Sequence, residues 1–108
     1  MLECSNRQPP SIINRRPDKT LFPLGKLVAT PGAIELLRHL QLNPFDYISR
    51  HWQGDWGDLE AHDVIANVSA LRHGTRLLSS YRLNDHDKLW IITEADRSVT
   101  TLLLPEEY

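Results

Sequence analysis

The fold is decided by residues 71–83, LRHGTRLLSSYRL, in which the spacing of the apolar residues changes at Gly74. Before Gly74 the apolar residues recur at every third or fourth position, which is the period of an amphipathic helix. After Gly74 apolar and polar residues begin to alternate, which is typical of a half-buried strand. Gly74 itself can take the left-handed conformation that ends many helices. The stretch therefore predicts helices on its N-terminal side and a sheet on its C-terminal side.

Upstream of Gly74 the sequence predicts one strand and three short helices. Thr30 before Pro31, and Asn43 before Pro44, each combine a side chain that can accept a backbone N–H with a proline that suits the first helical turn. The predicted elements are, in chain order, a strand over residues 24–30 and helices over residues 31–40, 44–52 and 59–73.

The third helix carries the clearest apolar stripe. Asp58 is expected to cap its N terminus, and Gly74 to end it. The residues that recur at helical spacing, and are therefore expected to face the core, are Ala61, Val64, Ile65, Val68 and Leu71. The same spacing in the first helix selects Ala33, Ile34, Leu37 and Leu40.

Downstream of Gly74 the alternation predicts three strands, over residues 75–83, 88–94 and 99–104. The connections are short enough to join antiparallel neighbours, so the strands should form a meander. The residues expected on the helix-facing side are Leu77, Tyr81, Leu89, Ile91, Val99 and Leu103, although both faces carry enough apolar residues for the opposite assignment. The predicted fold class is α+β: three short helices packed on a C-terminal antiparallel β-meander, with one additional N-terminal strand.

Composition limits the class of protein. A chain of 108 residues with 41% hydrophobic and 24% charged residues is typical of one globular domain. Residues 1–20 contain three prolines among polar residues and are predicted to be a flexible polar head, followed by a single α+β domain over residues 21–108. The single cysteine, Cys4, indicates a reducing cytoplasm, and no apolar run approaches the length of a membrane span. The net charge of −2 does not favour non-specific binding to nucleic acid.

One group of polar residues has the composition of a metal site. His51, Asp55, Asp58 and His62 offer two imidazoles and two carboxylates within a short stretch. Their spacing matches no metal-binding signature. Helix-end roles explain His51 and Asp58 better, so we predict neither a metal nor a cofactor.

A second group has the composition of a catalytic site. A carboxylate base, a histidine acid and arginines that stabilise phosphate charge would suffice for a metal-independent ribonuclease. The candidate catalytic residues are His73, Arg76, Arg82, Glu94, Asp96 and Arg97. Structural roles compete with catalysis, since His73 suits a helix C terminus and Arg82 could pair with Glu94 across two strands.

Three tryptophans could anchor a partner or fill the core. Trp90 lies in the central predicted strand and is expected to be buried. Trp56 lies between two glycines and is the tryptophan expected to be partly exposed. Asp55 and Trp56 are therefore the predicted binding residues.

Four segments together resemble a family of short bacterial proteins of unknown function, which often occur on plasmids and integrated elements. The segments are LGKLVATPGAIELL, HWQGDWGDL, LRHGTRLLSSYRL and LWIITEADRSVTTLLLPEEY, and the most distinctive parts are GDWGDL and ITEADRS. The resemblance covers roughly residues 24–108. Some members are labelled plasmid-related or restriction-modification proteins, but this chain is too short for a methyltransferase and lacks its cofactor-binding loop.

The leading functional hypothesis is a non-catalytic interaction or accessory module associated with mobile elements. We expect a protein partner, with nucleic acid as the weaker prediction and no membrane. The alternative is a small metal-independent ribonuclease or toxin-like domain.

Overall fold

The change of structure at Gly74 is confirmed in the computed structural model, which describes residues 19–108. The helix before Gly74 runs Ala61–His73, and Gly74 ends it in the left-handed conformation with φ of 72°. The elements in chain order are β1 Lys26–Ala29, α1 Pro31–His39, α2 Pro44–Trp52, α3 Ala61–His73, β2 Leu77–Arg82, β3 Lys88–Thr93, β4 Val99–Leu103 and a short 3-10 turn, Pro105–Glu107. The predicted flexible head lies outside the described residues except for Lys19 and Thr20.

The four strands form one mixed sheet in the order β1-β4-β3-β2. β2, β3 and β4 are antiparallel neighbours, so the predicted C-terminal meander is confirmed. The additional N-terminal strand β1 lies parallel to β4, at the opposite edge from β2. All three helices lie in the long connection between β1 and β2, which confirms the α+β class. Within residues 19–108 no helix has both the length and the apolar composition to cross a bilayer.

One face of the sheet packs against the helices and forms the core. The predicted inward residues Leu77, Tyr81, Leu89 and Ile91 are all buried there. The prediction is wrong for β4, because Leu102 pairs with Ile91 and therefore shares its face. The inward positions of β4 are taken instead by Thr100 and Leu102, and the predicted inward pair, Val99 and Leu103, lies on the opposite face.

The first two helices begin as predicted. The Thr30 hydroxyl accepts the Ala33 N–H at 3.1 Å, and the Asn43 side chain accepts the Phe45 N–H at 2.9 Å. In α1, Ala33 and Leu37 are buried as expected. The predicted inward Ile34 is 50% exposed, because it lies on the side of α1 rather than on the face toward the sheet.

Helix α3 is rotated relative to the prediction. Its buried residues are Asn67 and Ala70. The predicted inward residues Val64 and Leu71 pack against the core, whereas Ile65 is 68% and Val68 is 58% exposed. Asp58 does not cap the helix, whose N-cap is Glu60 with no side-chain hydrogen bond. In both cases a polar side chain, that of Asn67 or of Asp58, binds the backbone of β2 instead.

Side chains and a loop bind the backbone of β2 along the edge that faces away from β3. The Asn67 side chain donates to the Leu78 carbonyl at 2.6 Å and accepts the Leu78 N–H at 3.1 Å. The next outward residue, Ser80, donates to the Trp56 carbonyl and accepts the Asp58 N–H. The Asp58 carboxylate then accepts the backbone N–H of Arg82 at 2.8 Å. An edge strand with its backbone satisfied in this way cannot template a further strand.

We predict that Asn67→Ala lowers the free energy of unfolding by about 1–3 kcal/mol, because both backbone groups of Leu78 lose their partner. Asn67→Asp should cost at least as much, since its carboxylate would face the Leu78 carbonyl. Urea denaturation followed by circular dichroism measures the loss, with the exposed Ser69→Ala in the same helix as the control. A loss in Asn67→Ala no larger than in Ser69→Ala would show that the amide does not hold the edge.

Candidate functional site

Trp56 is a core residue. It is 7% exposed, so the expectation of a partly exposed Trp56 is wrong. Its ring packs against Phe22 and His51, with ring centroids 6.3 and 5.7 Å away. The Gly57 backbone after it has φ of 79° and lies so close to Ser80 that a Cβ there would collide with the Ser80 carbonyl. In this loop conformation the Trp56 side chain lies in the core and not at the surface.

Asp55 remains at the surface and holds this loop. Its carboxylate accepts a hydrogen bond from Arg50 Nε at 2.7 Å and another from the Gly57 N–H at 3.2 Å. The bond from Arg50 is the main cause that lowers the pKa of the Asp55 carboxyl. The Tyr81 hydroxyl donates to the Asp55 carbonyl at 2.6 Å. These contacts give Asp55 a structural role, and its predicted role in binding stays a prediction.

The other two tryptophans are half-buried. The Trp52 indole N–H donates to the Phe22 carbonyl at 2.8 Å. Trp90, predicted to be buried, lies on the sheet face away from the helices, where its ring contacts Tyr108 with centroids 5.7 Å apart.

The structure does not bring all of the predicted catalytic residues together, because Arg82 lies at the far end of β2 from Arg76. Arg76 precedes β2 and Arg82 ends it, so their backbones lie about 20 Å apart along the strand. Arg82 pairs with Lys88, so the predicted cross-strand pair with Glu94 is wrong. The Arg76 guanidinium lies over the ring of Tyr108, 5.4 Å from its centroid.

Of the remaining candidates, Arg97 and Asp96 are engaged in hydrogen bonds within the structure, and those of Arg97 connect the end of α3 to the turn between β3 and β4. The Arg97 guanidinium donates to four backbone carbonyls, those of Thr75, Glu94, Ala95 and Ala70. The Asp96 carboxylate accepts from the Ser98 hydroxyl and N–H, and these bonds lower its pKa, whereas a general base for neutral pH usually needs a raised one. Within residues 19–108 no hydrogen bond or ion pair joins His73 to Glu94 or Asp96.

A different polar group, buried beneath Trp56, was missed by the sequence analysis. His51 is 0% exposed, and its Nδ1 lies 2.6 Å from the Ser79 hydroxyl. Its Nε2 lies 2.9 Å from the Thr93 hydroxyl. Thr93 contacts the Thr100 hydroxyl at 2.7 Å, and Thr100 donates to the Leu24 carbonyl at 2.7 Å. We call these five residues the buried relay.

The direction of every hydrogen bond in the buried relay follows from its last acceptor. A carbonyl can only accept, so Thr100 gives its proton to Leu24 and must accept from Thr93. Thr93 has then used its own proton and accepts one from His51 Nε2. His51 Nε2 therefore carries a proton. Because burial keeps the ring neutral at pH 7, Nδ1 is unprotonated and accepts from Ser79. Burial, with a smaller contribution from the charge of Arg97, lowers the pKa of His51 to about 3.

The contact between Ser79 and His51 has the distance of a nucleophile and its base, but both side chains are 0% exposed. A substrate cannot reach them without opening the core. Both ring nitrogens of His51 are also occupied by hydroxyls, so it is not placed as a metal ligand. Within residues 19–108 no group of three or more His, Cys, Asp or Glu side chains could hold a metal ion. The relay is a structural element.

The β1 edge differs from the β2 edge in having open backbone groups. Lys26 and Thr30 donate their N–H groups to β4, each at 2.9 Å, so the alternate residues Leu27 and Ala29 direct theirs away from it. Among the described residues no group bonds to the outward N–H or C=O of either residue.

An apolar cavity of about 480 Å³ opens beside these groups. It is lined mainly by Ala29, Ile34, Leu37, Leu42, Pro44 and Leu102. Arg38 is the one charged residue that lines it among those described, and its side chain is 74% exposed. The cavity lies in the size range of ligand pockets. We call the outward backbone of Leu27 and Ala29, together with this cavity, the β1 edge site.

Comparison with known proteins gives no assignment: no family model, no curated protein and no solved structure matches this chain. The family resemblance inferred from GDWGDL and ITEADRS therefore stays a prediction. The candidate site rests on the geometry of the described residues.

We predict that the free energy of unfolding falls as the pH drops from about 6.5 to about 3. In this range the unfolded chain binds a proton at His51, whereas burial keeps the native ring neutral with a pKa of about 3. The unfolded state therefore holds one more proton, and native stability is lost on acidification by about 1.4 kcal/mol per pH unit from this residue.

Urea denaturation at pH 7.0, 5.5 and 4.5 measures this slope. His51→Gln should remove this contribution and the exposed His62→Gln should keep it. In the wild-type protein, ¹⁵N NMR of the His51 ring should show the Nε2–H tautomer at pH 7. An Nδ1–H ring, or a His51 ring that protonates between pH 7 and 5.5, would contradict the inferred relay.

We predict that Thr100→Val lowers the free energy of unfolding by about 1–3 kcal/mol, because it leaves the Leu24 carbonyl and the Thr93 hydroxyl without their buried partner. Thr101→Val is the matched control, since Thr101 lies one residue further on the other sheet face. Thermal and urea unfolding of both variants provide the comparison. Equal stability of the two valine variants would mean that the Thr100 hydroxyl adds nothing.

Proposed function

We propose that this domain is a non-catalytic protein-interaction module that binds its partner through the β1 edge site. The observation that carries the proposal is the asymmetry of the two sheet edges. At β2, three successive outward residues are satisfied by a side-chain amide, a loop backbone and a carboxylate. At β1, among the described residues, the outward backbone has no such partner.

The apolar character of the adjoining cavity supports the same proposal. Ile34 is 50% exposed at its lining, so binding there would remove apolar surface from water. A cavity beside open backbone groups combines the two sources of affinity on which strand-binding modules depend.

Catalysis has less support from the same residues. The close pair formed by Ser79 and His51, which has the chemistry of a nucleophile and its base, is sealed in the core. Arg97, proposed as a phosphate clamp, is bonded to backbone carbonyls. The ribonuclease hypothesis stays a prediction that no described contact favours.

The cellular compartment and the genomic context of this interaction are also part of the proposal. The single Cys4 favours a reducing cytoplasm, and the resemblance favours an association with plasmids and integrated elements. Both stay predictions.

We predict that Ile34→Ser weakens partner binding about tenfold, because about half of this side chain is available to be buried at the interface. The matched control is Ile65→Ser, which changes an equally apolar and more exposed residue on α3, outside the cavity lining. The full chain and both variants are immobilised and exposed to extract of the source organism, and captured proteins are quantified by mass spectrometry.

A protein that is retained by the wild type and Ile65→Ser but depleted on Ile34→Ser is the expected result. Urea denaturation establishes that both variants are folded. Capture that depends on Ile65 instead, or that is unaffected by Ile34→Ser, would remove the β1 edge site from the proposal.

A further inference from the structure

We propose that the partner offers an extended peptide segment that adds to β1 as a fifth strand, with an apolar side chain in the cavity and a carboxylate near Arg38. This rests on the proposed function, which names the surface but not what it recognises. The backbone spacing, the position of the cavity and the local charge each define one property of the segment.

The backbone of β1 defines the conformation of the partner. Leu27 and Ala29 present two N–H and two C=O groups on one side, separated by a single residue whose groups point to β4. An extended chain has donors and acceptors at the same two-residue spacing, because its own backbone alternates in the same way. A helix has already used these groups internally. The open edge therefore selects a strand.

The position of Ala29 defines where the apolar side chain goes. Ala29 pairs with Leu102 in the sheet, and both residues line the cavity. Residues opposite each other on neighbouring strands direct their side chains to the same face. A peptide residue opposite Ala29 would therefore direct its side chain to the cavity face, where Ile34 and Leu37 lie. The small side chain of Ala29 leaves this space open.

The charges around the site favour an acidic segment. Arg38 is the one charged residue that lines the cavity among those described, and at the two ends of β1 the charge of Lys26 is offset by that of Glu107, which accepts from the Thr30 hydroxyl. Arg38 is ion-paired with Glu35, but both side chains are largely exposed, so a peptide carboxylate can share the guanidinium. A lysine or arginine at the same place in the peptide would be repelled.

Other occupants fit fewer of these observations. A small apolar ligand would fill the cavity and leave the backbone groups of Leu27 and Ala29 without partners. A second copy of this chain would pair β1 with β1, but the β1 sequence Lys26–Ala29 contains no carboxylate to offer to Arg38. The extended acidic-apolar segment satisfies the backbone, the cavity and the charge together.

The test begins with a library of random nine-residue peptides displayed on phage and selected against the immobilised full chain. The enriched peptides should carry an aliphatic or aromatic residue next to Asp or Glu. A synthetic peptide of the enriched sequence should bind, and replacing its acidic residue by Lys should weaken binding about tenfold. Ile34→Ser should weaken it by a similar factor, and Ile65→Ser should not.

Strand addition leaves two signatures that other binding modes do not. Amide hydrogen exchange of Leu27 and Ala29, measured by NMR, should slow at least about tenfold when the peptide is bound, whereas Leu78 and Ser80 on the occupied edge should not change. Methylation of successive peptide nitrogens should weaken binding at every second position only, because alternate N–H groups face β1.

The outcomes separate this inference from the proposed function. A partner can be captured through Ile34 while one of three results fails: peptide selection, protection of Leu27 and Ala29, or alternation of the methylation effect. Any of these failures overturns strand addition and leaves the proposed function standing. Absence of both capture and peptide binding overturns both. A full chain that is dimeric in analytical ultracentrifugation, with Leu27 and Ala29 already protected, identifies a second copy as the occupant and overturns the peptide proposal.

Discussion

The buried relay fixes α2 on the sheet, because its hydrogen bonds cross the core from Ser79 through His51 to the Leu24 carbonyl. It connects α2, β2, β3, β4 and the segment before β1, which the chain places far apart. Every buried polar atom of the relay has a partner, so the desolvation of five polar groups is offset by satisfied bonds. If one residue of the buried relay moved away, the polar group that it contacts would lose its hydrogen bond in a medium of low dielectric constant. The relay thereby favours one arrangement of the helices over the sheet.

The relay also explains why a serine–histidine contact of 2.6 Å is not by itself a catalytic site. Catalysis needs the nucleophile to reach a substrate and the base to accept a proton at working pH. Here aromatic rings of Phe22 and Trp56 pack edge-on against His51, and burial lowers the pKa of His51 to about 3. The burial that stabilises the buried relay therefore keeps substrate away from Ser79 and prevents His51 from accepting a proton at neutral pH.

The sequence predicted features set by neighbours along the chain, and missed those set by contacts across it. The caps at Thr30 and Asn43 and the change of period at Gly74 depend on local backbone chemistry, and all three are confirmed. His51 is separated from Ser79 by 28 residues and from Thr93 by 42, so nothing near it in the sequence shows that it is buried. For the same reason the sequence predicts Val99 and Leu103 as the inward residues of β4, whereas Thr100 and Leu102 face the core. Asn67 is the clearest case, because its amide bonds β2 from a buried position of α3, while Ile65 and Val68, which periodicity assigned to the core, are exposed.

The open backbone of β1 follows from how this strand is held. β1 has only four residues, yet the bond from Thr100 to Leu24 fixes the chain just before it, and the Thr30 cap fixes the chain just after it. An incoming segment would therefore meet a strand that is already ordered, and the entropy of ordering would fall on the partner alone. The buried relay and the β1 edge site are connected through β4, which carries the last hydroxyl of the relay and also pairs with β1. Under the proposed function, recognition at β1 would therefore depend on polar residues in the core that the partner does not contact.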